Sequence, residues 1–355
     1  MVASVWENSD YWKEETEGVG GGSFSFANGH VLNWGMFGVT PAIPLYERAG
    51  ELAERHGEAR RDWMFNMRNL KIFPNLQMAE NASSQLRVIR PIAPGLTEMR
   101  TWCIAPKGES AAARRHRIRQ YEDFFNPTGM ATPDDTVSYE NCQIGFADRI
   151  DLYPKRSVLA DSQRCDETLY TPTTAHGPRV WQGAGSMRAP ISRSEAEDLL
   201  YREALLIDSA RYDEWLALFT PDVEFWMPAW RDETSTTQDP DCELSLIYYK
   251  GGRNLEDRVM RLTSDLSTAS TASAPPPRVA HQVSNVLLTH ADTENADVVA
   301  AFPCHRFDVQ MNRTDCFFGR YEYRLVRQEV GWAIARKKII LLNDTIPTVV
   351  DITSI

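Results

Sequence analysis

Ser192-Arg193-Ser194-Glu195-Ala196-Glu197-Asp198-Leu199-Leu200-Tyr201-Arg202-Glu203-Ala204-Leu205-Leu206-Ile207 decides how the second half of this chain folds. A serine with glutamate three residues on is a capping box, and Ala196, Leu199, Leu200, Ala204 and Ile207 follow at helical spacing. A long amphipathic helix is therefore predicted to start here. Tyr212, Trp215, Leu216 and Phe219 suggest a second short helix. Beyond Pro221 strand-like runs follow at 223–227, 244–249, 279–288, 298–307, 317–326 and 332–342. Helices first and a meander of strands afterwards is the order of an α+β domain whose curved antiparallel sheet wraps its helices.

Upstream, residues 20–148 alternate strand-like and helix-like stretches with Gly and Pro punctuation, as in part of a second α+β domain. Arg87-Val88-Ile89-Arg90-Pro91-Ile92 and Glu98-Met99-Arg100-Thr101-Trp102-Cys103-Ile104, joined through Pro94-Gly95, read as a β-hairpin. Residues 51–65 and 111–125 have helical composition. From 150 to about 187 neither period survives, so the reading is three units: 1–149, an irregular linker at 150–188, and 189–355. Residues 264–277 read as a surface loop.

A chain of 355 residues with 43% hydrophobic residues has enough apolar material for a core in each domain. Its charge is −3 over residues 1–186 (20 basic, 23 acidic) and −8 over 187–355 (18 basic, 26 acidic). Neither half has the positive excess that nucleic acid requires. Six scattered cysteines and a polar N-terminus imply a cytoplasmic protein with reduced thiols. No apolar run approaches the roughly 18 residues of a membrane span.

The local motifs exclude more than they assign. Gly20-Gly21-Gly22-Ser23 lacks the Lys-Ser or Lys-Thr of a phosphate loop and reads as a plain loop. Arg114 to Arg119 reads as a solvated helix face paired with Glu122 and Asp123. Thr132-Pro133-Asp134-Asp135 reads as a helix start, with Thr132 as N-cap, Pro133 following and two carboxylates at the positive end of the dipole. The seven histidines, at 30, 56, 116, 176, 281, 290 and 305, form no local ligand pair, and neither Cys-x-His nor Cys-x2-His occurs. There is no Gly-x-Ser-x-Gly elbow and no recognisable reactive cysteine, so the catalytic residues stay unassigned.

Four segments in order are familiar: Gly20 to His30, Asn69-Leu70-Lys71-Ile72-Phe73-Pro74-Asn75, Arg87 to Pro94, and Phe125-Asn126-Pro127-Thr128-Gly129-Met130-Ala131-Thr132-Pro133-Asp134-Asp135. Together they resemble the catalytic domain of the large subunit of Rieske-type aromatic-ring-hydroxylating dioxygenases, nearest the benzoate and anthranilate enzymes. Residues from about 189 onward resemble the small subunit of that family, through Tyr212 to Phe219, Val223 to Pro228, Leu244 to Tyr249, Leu255 to Val259 and Leu341 to Ile346.

The resemblance implies a helix-grip-like catalytic fragment, then a cone-shaped domain similar to nuclear transport factor 2, a cystatin-like fold. It implies addition of both atoms of O2 to an aromatic ring, giving a cis-dihydrodiol. Electrons come from NAD(P)H through a reductase or ferredoxin and a Rieske [2Fe–2S] cluster to mononuclear Fe(II). Asp135 falls on the family's carboxylate ligand, and Asn69, Ala79, Ile89, Phe125 and Ala131 on residues facing the substrate. The implied partners are large and small subunits in a trimer or α3β3-like assembly.

Only about 20 residues precede the Gly-Gly-Gly segment, where the family has its Rieske domain and two iron-binding histidines. The large-subunit pattern stops near Gln143, and 150–185 matches nothing recognisable. The expectation is a truncated large subunit fused to a complete small subunit through an out-of-frame remnant, inactive by itself. Two other readings are a structural assembly subunit, and a cone acting as an independent dehydratase or isomerase with His281 or His305 and an aspartate facing its interior.

Overall fold

The structure is a computed structural model and describes residues 20–80, 83–147, 189–263, 276–309, 311–348 and 350–355. The linker at 150–188, most of the 264–277 loop and His176 lie outside the described residues.

In the C-terminal half the capping box forms as read: the Ser192 hydroxyl accepts from the Glu195 amide at 3.2 Å and the Glu195 carboxylate accepts from the Ser192 amide at 2.8 Å. Helix α5 (Arg193–Asp208) then buries the stripe Ala196, Leu199, Leu200, Ala204 and Ile207. Short α6 (Tyr212–Leu216) follows, and α7 (Arg253–Thr263) lies where the sequence reading placed no helix. The strands are β7 (Phe219–Pro228), β8 (Ser245–Lys250), β9 (Arg278–His281), β10 (Ser284–Ala291), β11 (Asn295–Asp308), β12 (Arg313–Arg327) and β13 (Trp332–Leu341), in sheet order β10-β11-β12-β13-β7-β8 with β9 also paired to β11.

Long β11 alternates buried with half-buried residues and β12 buried with exposed ones, the period of a sheet with one covered face. Their inner residues stack, the Phe302 and Tyr321 rings lying 4.0 Å apart and nearly parallel. The antiparallel expectation needs one correction: β13 runs parallel to β7, because the helical hairpin leads the chain into β7 and the last strand returns beside it. The single run expected at 279–288 is two strands. β9 pairs residues 304–307 of β11 and β10 pairs 296–301, with the break after His281.

The N-terminal half is a six-stranded antiparallel sheet in chain order: β1 (Gly21–Ser25), β2 (Val31–Gly35), β3 (Met67–Ile72), β4 (Leu76–Glu80), β5 (Ser84–Ala93) and β6 (Leu96–Ile104). The glycine-rich stretch expected as a loop is strand β1, paired residue for residue with β2. The helix expected over 51–65 is two, α1 (Ala49–His56) and α2 (Glu58–Met64), because Gly57 takes φ +81 and ends the first. Helices α3 (Ala111–Phe124) and α4 (Thr132–Ala147) follow the sheet. Helix α4 starts one residue earlier than expected: Ala131 O accepts from the Asp135 amide at 3.2 Å, so Ala131 holds the cap position, and the Thr132 hydroxyl donates instead to Phe125 O at 2.8 Å.

Candidate functional site

Strand alternation assembles the site. Asn33, Asn69, Ala79, Gln85 and Cys103 stand opposite one another in register across β2, β3, β4, β5 and β6. Arg87 and Ile89, two and four residues beyond Gln85, share that face. Helix α3 lies on it: Ala79, Tyr121 and Phe125 form one buried cluster, and the Tyr121 hydroxyl donates to Thr101 Oγ1 at 3.1 Å. The basic run on α3 is not all solvated as expected, since Arg117 turns inward to donate to Glu109 at 2.6 Å and to Cys103 Sγ at 2.9 Å. Burial, opposed by Arg117, pushes the Cys103 thiol up to about 11, so it stays protonated.

Phe125 and Ala131 are joined by a tight turn between α3 and α4. Ala131 N donates to Phe124 O at 3.3 Å and Gly129 N to Asn126 O at 2.8 Å. A Cβ on Gly129 would lie 2.5 Å from Phe124 O, so no other residue closes this turn. Asp135 follows in the first turn of α4, half exposed, with Oδ2 4.0 Å from Arg87 Nη1. The Arg87 guanidinium lies 5.7 Å from the Phe125 ring centroid. Partial burial raises the Asp135 carboxyl, and Arg87 opposes the rise.

Of the residues expected at the site, Ala79 and Phe125 therefore touch, Asn69 is Ala79's register partner, and Asp135 reaches Phe125 through Arg87. Ile89 shares the face two rows away, opposite Met99. The sequence reading missed Gln85, Arg87 and Tyr121. Even spacing from Ile89 within the quoted Arg87-Val88-Ile89 motif was the available signal. Among the described residues, Ser83 Oγ, both polar atoms of the Gln85 amide and Arg87 Nε are buried without a protein partner. Ser83, Gln85 and Arg117 also line a cleft of about 360 Å³ walled by Ile43, Phe65 and Met78.

An iron centre does not fit these residues. Among the described residues no three His, Cys, Asp or Glu side chains converge, and the neighbour of Asp135 is a cation. His30 Nδ1 is already committed, accepting from the Phe73 amide at 3.0 Å.

In the C-terminal half, His281 faces the interior and His305 is exposed. His281 Nδ1 lies 2.6 Å from Asp208 Oδ1, and the Asp208 carboxylate also accepts from the His281 amide. With its side chain 2% exposed, His281 braces the end of α5 against β9 and is closed to a substrate.

Residues 12–187 match the family described as "Ring hydroxylating alpha subunit (catalytic domain)", and residues 202–348 match "Ring hydroxylating beta subunit". The small subunit of 2-halobenzoate 1,2-dioxygenase from Burkholderia cepacia is 39% identical over 153 residues, 43% of this chain and 90% of that protein. The chain belongs to the ring-hydroxylating family. It joins a large-subunit segment to a small subunit. The alpha subunit of toluate 1,2-dioxygenase from Pseudomonas putida is 50% identical over 148 residues, 41% of this chain; the chain spans only 30% of that relative. A solved β subunit of benzoate 1,2-dioxygenase from Burkholderia mallei aligns with 46% of the chain and 98% of its own at 30% identity and a TM-score of 0.39.

Because the ring-hydroxylating match runs through residue 187, the 150–187 stretch is not foreign to the family, which corrects the expectation of an unmatched remnant. No helix among the described residues is long and apolar enough to cross a membrane.

Proposed function

We propose that the chain is a component of an aromatic-ring-hydroxylating dioxygenase acting on a benzoate-like aromatic acid. Arg87 carries this reading: a buried guanidinium beside the Phe125 ring, with Nε lacking a protein partner among the described residues. An aromatic acid matches that pair, its ring against Phe125 and Ala79 and its carboxylate on the guanidinium fork. The relatives named for toluate and 2-halobenzoate support the same substrate class. In this reading Asn69, Ile89 and Ala131 complete the substrate face, and Asp135 is the family carboxylate.

The reaction is addition of O2 to give a cis-dihydrodiol, in the cytoplasm, within an α3β3-like or trimeric assembly supplied with electrons from NAD(P)H by a reductase. Fe(II) and the Rieske cluster belong to intact large subunits, since the described residues do not form their sites. Calorimetry tests the carboxylate reading. Benzoate should bind at least about ten-fold more tightly than benzamide, and Arg87→Gln should erase the difference; equal binding of the two by the unaltered protein would sink it.

A different observation favours a purely structural assembly role: among the described residues, nearly all the buried core lies in the small-subunit half. Iron content and O2 uptake with an intact large subunit present separate the two. If Asp135→Ala leaves both unchanged, the assembly role stands.

A further inference from the structure

The large-subunit segment of this chain is seated on its own small-subunit half. Strand β8 ends the sheet, and the start of such an edge strand exposes backbone donors and acceptors that demand a partner. Here side chains of the large-subunit segment supply one. Asn126 Nδ2 donates to Ser245 O at 2.7 Å and to Leu246 O at 3.3 Å, the Thr128 hydroxyl donates to Leu246 O, and the Ser245 amide donates to Glu122 Oε1 at 2.5 Å.

Helix α7 completes the seat: Arg258, 2% exposed, donates to Thr128 O, and Arg261 Nη2 lies 3.4 Å from Asp134 Oδ1. The Arg119 guanidinium covers the Tyr248 ring at 4.1 Å. Glu122, Asn126, Thr128, Ser245 and Arg258 are all buried, so stripping this seat would leave bare edge groups and one Arg258 donor without partners, while Arg258 keeps its bond to the Tyr249 hydroxyl. The occupying turn is the Asn126-Pro127-Thr128-Gly129-Met130 motif, which resembles the family's large subunits, so an intact large subunit carries its own version of the same key.

We propose that the Ser245–Leu246–Arg258 face is the docking face for an intact ring-hydroxylating large subunit, and that in this chain the segment from Glu122 to Asp134 occupies it in cis. The fused chain is thereby closed to large subunits until that segment is displaced. This rests on the reading of the chain as a member of a multi-subunit oxygenase. The complementarity is chemical rather than merely apolar: donors meet carbonyls, and two arginines meet a carbonyl and a carboxylate.

The test is size-exclusion chromatography with light scattering, mixing the full chain with a purified benzoate-type large subunit. Thr128→Arg sets a second cation against Arg258 and should release the segment, raising large-subunit affinity at least about ten-fold over the unaltered chain. Thr128→Ser keeps the hydroxyl and should stay closed, and Thr128→Arg with Arg258→Met should lose the gain. Asn126→Leu is the parallel variant should Thr128→Arg fail to fold, as read by near-UV circular dichroism.

Large-subunit binding by the unaltered chain as tight as by Thr128→Arg would overturn the occlusion and leave the multi-subunit reading standing. Binding by neither would overturn the docking face, while iron content and O2 uptake with an intact large subunit decide the multi-subunit reading separately. A released variant that recruits only a second copy of itself would overturn the choice of partner.

Discussion

The two halves of the molecule bury themselves differently. Among the described residues the small-subunit half has one continuous core of 31 buried apolar residues, whereas the large-subunit half has a cluster of three: Ala79, Tyr121 and Phe125. In the first, the sheet packs against α5, so one stripe of helix and one face of sheet satisfy each other. In the second, a six-stranded sheet presents two demanding faces. One holds the site row and α3. The other carries an apolar row across all six strands, Phe24-Leu32-Leu70-Met78-Leu86-Trp102, whose ends Phe24 and Trp102 are 48% and 49% exposed. A sheet with apolar residues in the open at both ends depends on contacts outside itself for its stability.

The largest effect that would sharpen this contrast is at Glu203. Burial alone would raise its carboxyl, but Lys337 at 2.8 Å, Trp215 Nε1 at 3.0 Å and the Tyr323 hydroxyl at 3.0 Å outweigh burial and hold it below its ordinary range. Glu203→Ala strands Lys337 inside the core and should cost about 3–5 kcal/mol, lowering the melting midpoint of the small-subunit half by roughly 6–20 °C. Glu203→Gln, which keeps a hydrogen-bonding group, should cost less. A midpoint unmoved by Glu203→Ala in calorimetry would show that the core does not depend on this pair.

Phe125→Ala removes one of the three residues of the buried cluster in the other half and should cost about 3 kcal/mol there. The small-subunit transition should move little, and limited proteolysis should cut residues 20–147 faster than in the unaltered chain and well before 189–355. If both halves prove equally resistant in the unaltered protein, the contrast in core size does not translate into stability.

The smallest expected effect is pH-dependent and sits where the halves meet. Burial pushes Glu122 up to about 8, with Arg119 opposing, the Ser245 amide from β8 bonded to it and Asp123 adding to the rise; Asp123, also raised by burial to about 6, faces Arg258, Arg119 and Asp257. A carboxyl whose folded value lies above its unfolded one binds its proton more tightly when folded. Seating of the segment is therefore strongest near pH 4.5 and weakens as pH rises toward 8. Cleavage within 20–147 should be slower at pH 6 than at pH 8.5, and Glu122→Gln should remove most of that difference. An equal rate at both pH values would mean that Glu122 stays charged beside Arg119 throughout.

Local chemistry made much of this legible in one dimension. The Ser192–Glu195 box, the stripe from Ala196 to Ile207 and the alternation along β11 and β12 are short-range patterns, so helix α5 and the long strands follow from them directly. Where the reading missed, a tertiary neighbour outvoted a local signal. Gly20 to Ser23 has loop composition but pairs with β2, and Arg117 sits in a basic run but is drawn inward by Glu109 and Cys103.

At the site, the motifs by themselves supplied the expected residues: Phe125, Ala131 and Asp135 lie within eleven positions, and Asn69, Ala79 and Ile89 each lie in or near strand-like segments. Only the tertiary structure decided which of them meet. Cross-strand register, invisible in sequence, set Asn69 beside Ala79 and brought Gln85 and Arg87 onto the same face. The seat of the 122–134 turn on β8 joins residues some 120 positions apart, and no periodicity encodes a hydrogen bond between a side chain and the backbone of an edge strand. Such contacts depend on the three-dimensional path of the chain, because they are chosen by which polar groups remain unsatisfied after each half has folded.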